Sequence, residues 1–185
     1  MLHEKDLMYY SDRYNDHNNA LKRFINIFNT NGRKFGGYVW MVYHEKENYR
    51  DDGIIIYRPQ MRSISYDFEK RHTAYWNYGR YTFDTLSQFE RKLIKPELDL
   101  SIQCSTAEDG VLIAWHSDFL LAPIETYRAK TQNGYEENMM CRKTKHFKEY
   151  YYLESGENTG MDELYNVLLR AFINYQFNYR SFIND

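Results

Sequence analysis

LDLSIQCSTAEDGVLIAW, residues 98–115, is the stretch that decides the fold. Leu98, Leu100, Ile102 and Cys104 fall on one side of an extended chain, and Asp99, Ser101, Gln103 and Ser105 on the other. Side chains alternate between the two faces of a strand, so this pattern predicts a strand with one apolar face. Ala107, Glu108, Asp109 and Gly110 supply turn residues. VLIAW, residues 111–115, is apolar throughout and reads as an interior strand.

Working upstream, GGYVWMVYHE and GIIIYRP are β-branched and aromatic runs joined by a polar connection ending in Asp52-Gly53, which predicts a hairpin over residues 36–59. Ile64, Tyr66 and Phe68 alternate with Ser63, Ser65 and Asp67 as a third strand. Residues 72–83 read as a further strand or as a hairpin turning at Asn77 to Gly79. Leu21, Phe24, Ile25 and Phe28 recur at helical spacing over residues 16–29, with Gly32 as a stop; Leu7, Tyr10 and Tyr14 extend that stripe back towards Glu4. Asp84 or Thr85 can cap a central helix, with Gln88 completing a capping box, Leu86, Phe89, Leu93 and Ile94 as its buried stripe, and Pro96 ending it.

Downstream, residues 119–130 can extend the sheet and residues 131–138 read as a surface loop. Residues 139–154 suit two short strands better than a helix because of three consecutive tyrosines. After a second loop, Thr159 caps a long helix with Met161, Leu164, Leu168, Phe172 and Tyr175 on one face. The expectation is an α+β fold: a mainly antiparallel sheet of about six or seven strands packed with an N-terminal, a central and a long C-terminal helix. One domain spans residues 1–185, with helical residues 1–34, sheet residues 35–158 carrying the inserted helix, and the helix of residues 159–185.

With 185 residues the chain can bury roughly two-thirds of its unfolded surface without staples. A net charge of −2 gives no global pull towards nucleic acid, so any attraction must come from local patches. The 19 tyrosines, beside 3 prolines and 9 glycines, are its compositional signature. Tyrosine gives rigid, amphipathic contact area at low entropic cost; an AT-rich coding sequence would raise the same residue count without that use. Cys104 and Cys141 are the only cysteines, which implies neither a disulfide framework nor a thiolate zinc site. The charged start MLHEKDLMYY is unlike a signal peptide, and no run approaches the ~20 apolar residues of a membrane span. The expected location is therefore the cytosol, with no membrane partner.

No GxxxxGK, GxGxxG or GxSxG pattern occurs, so phosphate-loop, dinucleotide and esterase readings lack support. His116 and Asp118 stand at the end of the interior strand, where they could offer two metal ligands, with Asp51, Asp52 or Glu45 as outside candidates; a polar strand terminus, with Asp118 bonding nearby backbone, explains them better. A metal-free alternative pairs His72 and His116 as acid and base for RNA cleavage, with Arg71 or Arg80 facing the phosphorane and Tyr75 as a further donor. Cys104 sits on the apolar face of its strand and reads as core. No cofactor is implied.

The strongest signal is for binding. Residues 57–83 interleave Arg58, Arg62, Arg71 and Arg80 with Tyr75, Trp76, Tyr78 and Tyr81, and a second tract holds Arg142, Lys143, Lys145, His146 and Lys148 beside three tyrosines. Rings that stack on bases and arginines that contact phosphate together suit single-stranded nucleic acid or an RNA hairpin. If both tracts share a face they form one groove; equally, alternation would send half of the rings into the core. In character, MYYSDRYNDHNNALKRFINIFN and FINYQFNYRSFIND resemble the small Tyr- and Asn-rich proteins of phages and mobile elements, a class that includes anti-CRISPR proteins. That resemblance implies an inhibitor that engages a CRISPR effector or its guide RNA. The other readings are a small ribonuclease and a structural or host-interaction domain.

Overall fold

A computed structural model describes residues 4–44, 51–71, 76–81, 83–93, 98–120, 125–130, 135–152, 159–174 and 180–181. In chain order, α1 (Glu4–Gly32) precedes β1 (Val39–Tyr43), β2 (Gly53–Tyr57) and β3 (Arg62–Lys70). Next come β4 (Thr85–Phe89), the single turn α2 (Glu90–Leu93), β5 (Leu100–Cys104), β6 (Gly110–Trp115) and the short α3 (His116–Leu120). The chain continues through β7 (Glu125–Lys130), β8 (Glu136–Lys143), β9 (Lys148–Tyr151), α4 (Thr159–Ile173) and β10 (Arg180–Ser181).

The fold is α+β. The main sheet runs β1-β2-β3-β5-β6-β9, with β10 paired to β3, and a separate three-stranded sheet runs β4-β8-β7. All pairings are antiparallel except β3 with β5, which run parallel because the chain between them crosses over through the second sheet. The expected hairpin is present in register, with Val39 opposite Tyr57 and Tyr43 opposite Gly53.

Three layers result. On one face of the main sheet, Ile55, Ile64, Tyr66, Phe68, Leu100, Ile102, Val111 and Ile113 pack under α1 and α4, which contribute Leu21, Phe24, Phe28, Leu164, Leu168 and Phe172. The i, i+3, i+4, i+7 spacing of α1 does what it predicts, since those side chains are all buried. On the other face a smaller apolar cluster holds Trp76, Leu86, Leu93, Leu112, Ala114 and Phe119. The polar side of residues 99–105 is therefore not solvent-facing: Ser101, Gln103 and Ser105 are buried.

The edge strand β1 is closed by side chains. Asn29 Nδ2 donates to the Met41 carbonyl at 2.8 Å while Met41 N–H donates to Asn29 Oδ1 at 2.9 Å, and Val39 N–H donates to Tyr165 Oη at 3.1 Å. An unpaired strand edge is a template for association, and these caps cover Val39 N–H and both Met41 groups along it. At Gly32 a Cβ would stand 2.7 Å from the Tyr165 ring, so only glycine lets the end of α1 approach α4 this closely.

Several expectations need correction. Thr85–Phe89 is a strand paired with β8, and among the described residues of this stretch only Glu90–Leu93 is helical; Ile94 and Pro96 lie outside them. Leu86 and Gln88 both point inward there, a two-residue period that the helical stripe concealed. Residues 76–81 hold the expected turn, with Arg80 N–H donating to the Asn77 carbonyl at 3.0 Å, but no strand. Phe119 belongs to α3, while Glu125–Lys130 extends the second sheet rather than the main one. The last helix ends at Ile173, and the chain then returns as β10; Tyr175 lies outside the described residues.

Candidate binding surface

The loop from Trp76 to Tyr81 is anchored from below. Trp76 Nε1–H donates to Glu149 Oε1 at 2.7 Å, Gly79 N–H to Glu149 Oε2 at 2.8 Å, and Tyr78 N–H to Asp109 Oδ1 at 2.9 Å. Asp109 is itself set by Ser105, whose hydroxyl donates to it at 2.8 Å in the β5–β6 turn. Gly79 takes φ +73°, the left-handed conformation that glycine adopts at no steric cost. Burial raises the pKa of the Glu149 carboxyl, partly offset by the donors from Gly79 and Trp76. Nothing in the sequence marks Glu149 or Asp109 as clamps, because their partners lie 73 and 31 residues away.

Trp76 is the first correction at the site: at 1% exposure it is core, not a contact residue. Tyr81 packs edge-on against it at 4.8 Å and is half-buried. Tyr78 remains 43% exposed over Tyr151, and Arg80 is exposed. Arg71 is spent inward, donating from Nε and Nη2 to Gln103 Oε1 at 2.9 and 2.6 Å and pairing with Glu69 at 3.5 Å. Tyr75 lies outside the described residues. Arg58 and Arg62 belong elsewhere, because β3 puts about 30 Å of extended chain between Arg62 and Arg71. Arg58 instead lies over the Trp40 ring at 4.5 Å.

The second tract does come alongside the first. Thr144 N–H donates to the Asp84 carbonyl at 2.8 Å and its hydroxyl to the Phe83 carbonyl at 2.6 Å, while Phe147 and Tyr81 both pack on the Trp76 cluster. Within the tract, Arg142 is partly buried, donates to the Asp118 carbonyl and lies 5.9 Å over the Phe147 ring. Lys148 is paired with Glu163. Lys143, Lys145 and His146 are exposed beside a 3-10 turn at Thr144–His146. The surface thus reduces to a ridge of Tyr78, Arg80, Phe83, Lys143, Lys145 and His146. Among the described residues, Arg80, Lys143 and Lys145 form no ion pair. Exposed Asp84 offsets part of that charge.

His116 is the second correction. It is only 4% exposed, sealed between the two sheets, where no RNA phosphate reaches it. Ser101 Oγ accepts from Gln88 Nε2 at 2.5 Å and lies 2.9 Å from His116 Nε2, while His116 Nδ1 has no hydrogen-bond partner among the described residues. Burial lowers its pKa from 6.5 to about 4, against a smaller opposing pull from Asp67. A buried neutral imidazole is a structural group, so an acid–base pair with His72 has no support from its geometry; His72 lies outside the described residues. Asp118 is engaged by Arg142, with burial raising its pKa. Asp51 Oδ1 lies 2.7 Å from His44 Nδ1, and Asp52 Oδ2 accepts from Phe68 N–H at 2.7 Å, whereas Glu45 lies outside the described residues. Among the described residues no three His, Cys, Asp or Glu side chains are grouped to hold a metal. Cys104 is core, its thiol pushed up to about 12 by burial and hydrogen-bonded with Tyr152.

Comparison with protein-family models, curated proteins and solved structures returns no match. Among the described residues no helix is long and apolar enough to cross a membrane.

Proposed function

We propose that this chain is a binding protein that engages an RNA-bearing, nucleic-acid-processing complex, in the manner of an inhibitor directed at a CRISPR effector or its guide RNA. The observation that carries the reading is the ridge itself. Three cations without acidic partners among the described residues stand with two exposed rings, on a Trp76–Tyr81 loop clamped by Glu149 and Asp109 and a neighbouring turn tied through Thr144 to Phe83 and Asp84. Cations of this kind contact phosphate, and exposed rings stack on unpaired bases. The inhibitory sense comes from the compositional resemblance to mobile-element proteins.

Fluorescence anisotropy with a single-stranded RNA across a salt series tests it. Three phosphate contacts should give a slope of log affinity against log salt of about −2. The double variant Arg80→Glu/Lys145→Glu should lose most of that affinity while melting at the same temperature. RNA recovered from the mixture should be intact. Salt-independent binding, or full affinity in the double variant, would remove the ridge from consideration, and cut RNA would favour a ribonuclease instead.

A further inference from the structure

The face of the main sheet turned away from α1 and α4 is only half covered. Side chains alternate across a strand, so Trp40, Val42, Ile54 and Ile56 point away from the helices, whose side is taken by Val39, Met41 and Ile55. The register sets Trp40 opposite Ile56 and Val42 opposite Ile54. Further along this face the second sheet lies over β5 and β6. There Gln88 Nε2 donates to Ser101 Oγ, Lys92 pairs with Asp67, and Leu86 packs with Leu112 and Ala114. Trp40, Val42, Ile54 and Ile56 belong to neither apolar cluster, and each keeps part of its surface open.

The polarity of the two halves is the reverse of their cover. The sheltered half carries Ser101 and Gln103, while the open half carries an indole and three β-branched side chains. The solvent side of an antiparallel sheet is ordinarily polar, so this shelf has the composition of a buried surface. Two strands of five residues give it a footprint of about 10 Å by 17 Å. One α-helix of about three turns, about 10 Å across, matches that footprint. A stable dimer needs about 800 Å² per partner, several times as much. Addition of a strand is barred at the β1 edge, where Asn29 and Tyr165 hold the Met41 and Val39 groups.

The end of the shelf near Trp40 is basic. Residues 33–43 and 54–66 contain Arg33, Lys34, Arg58 and Arg62 and no Asp or Glu. Lys34 is paired with Asp162. Exposed Arg58 has no acidic partner among the described residues, and its guanidinium lies 4.5 Å over the Trp40 ring. A guanidinium over a ring keeps its edge N–H groups for a carboxylate, which it grips through two parallel bonds. We infer that the β1–β2 shelf docks an amphipathic, acidic helix of a partner protein, with the apolar stripe of that helix on Trp40, Val42, Ile54 and Ile56 and a carboxylate on Arg58. The shelf lies at the opposite edge of the main sheet from β9 and the ridge, so its failure leaves the RNA-binding reading standing.

Fluorescence anisotropy of the full chain with a labelled, stapled helix of about 15 residues, leucines on one face and glutamates on the other, tests it. Its Kd should lie below about 100 µM. The same helix with lysine in place of glutamate should bind about tenfold more weakly, and a peptide of the same composition with its leucines scattered should not bind. Arg58→Glu should invert the preference between the glutamate and lysine helices. Ile54→Thr/Ile56→Thr, which keeps the β-branched shape, should weaken both by about tenfold or more, with circular dichroism showing both variants folded. Arg80→Glu/Lys145→Glu should bind the glutamate helix as the wild type does. A Kd above about 100 µM for the glutamate helix overturns the inference, as does equal binding of the scattered peptide or an unchanged preference in Arg58→Glu. A dimer in sedimentation equilibrium that Ile54→Thr/Ile56→Thr dissociates would assign the shelf to a second copy instead. Phosphatidylglycerol vesicles that bind the wild type and not that variant would assign it to a membrane.

Discussion

Replacing His116 with glutamine should change how the stability of this protein depends on pH. In the folded chain burial holds the imidazole pKa at about 4, against 6.5 for the ordinary group. Between those values the unfolded chain binds a proton that the folded chain refuses, so stability rises with pH across that window. The contribution is fully present above pH 6.5 and is lost as pH falls towards 4. The difference of about 2.5 is worth about 3.4 kcal/mol if fully traversed and about 2.5 kcal/mol by pH 4.5. Asp118 and Glu149, whose pKa values burial raises, act with the opposite sign, but they do so in wild type and variant alike and cancel in the comparison. Urea unfolding at pH 7 and pH 4.5 gives the four free energies. With a slope of about 2 kcal/mol per molar urea, the wild-type midpoint should fall about 1 M further than that of His116→Gln on acidification. Equal falls in the two proteins would mean that the ring titrates freely, and the sealed polar layer between the sheets would have to be abandoned.

Two further perturbations act on other joints of the fold. Glu149→Ala strands the indole N–H of buried Trp76, which should cost about 1–3 kcal/mol and lower the melting temperature by about 3–9 °C. Glu149→Gln, which keeps one acceptor, should lose less by differential scanning calorimetry, and a loss at least as large as that of the alanine variant would contradict the clamp. Asn29→Ala uncovers both Met41 N–H and Met41 C=O at the sheet edge, for a cost of about 2 kcal/mol or more. Light scattering during heating should then begin earlier and depend on protein concentration; an unaltered onset would show that the edge is guarded by something else.

Where apolar periodicity was the whole signal, the sequence was readable. Residues 39–43, 53–57, 64–68 and 111–115 are strands because β-branched and aromatic side chains repeat there with no competing period, and residues 16–29 are helix for the complementary reason. Residues 85–89 misled because Leu86, Phe89 and Leu93 fit a helical stripe while Gln88, which carries the inward alternation, is polar. The same blindness applies to Ser101, Gln103 and His116: a hydrogen-bonded buried polar group has the hydropathy of a solvated one. The absence of Lys and Glu from the polar side of residues 99–105 was the available clue, since a solvated face usually carries them. At the candidate surface the two basic-aromatic tracts were visible, and their adjacency through Thr144 and Phe83 was conditional on pairing. The inward fate of Trp76 and Arg71 depends on Glu149 and Gln103, partners that no local pattern identifies.

The caps on β1 also impose an order on the chain as it leaves the ribosome. Asn29 is only 12 residues from Met41, so that part of the strand can be closed as soon as the hairpin forms. Tyr165 is 126 residues from Val39, and at about 5–20 residues per second it emerges roughly 6–25 s later. During that interval Val39 N–H has no internal acceptor from α4, and the apolar face that α4 will cover is still open. The nascent chain is therefore most vulnerable to association with its neighbours in the middle of its synthesis, and a synonymous change that slows translation before residue 165 should lower the soluble yield without altering the finished protein.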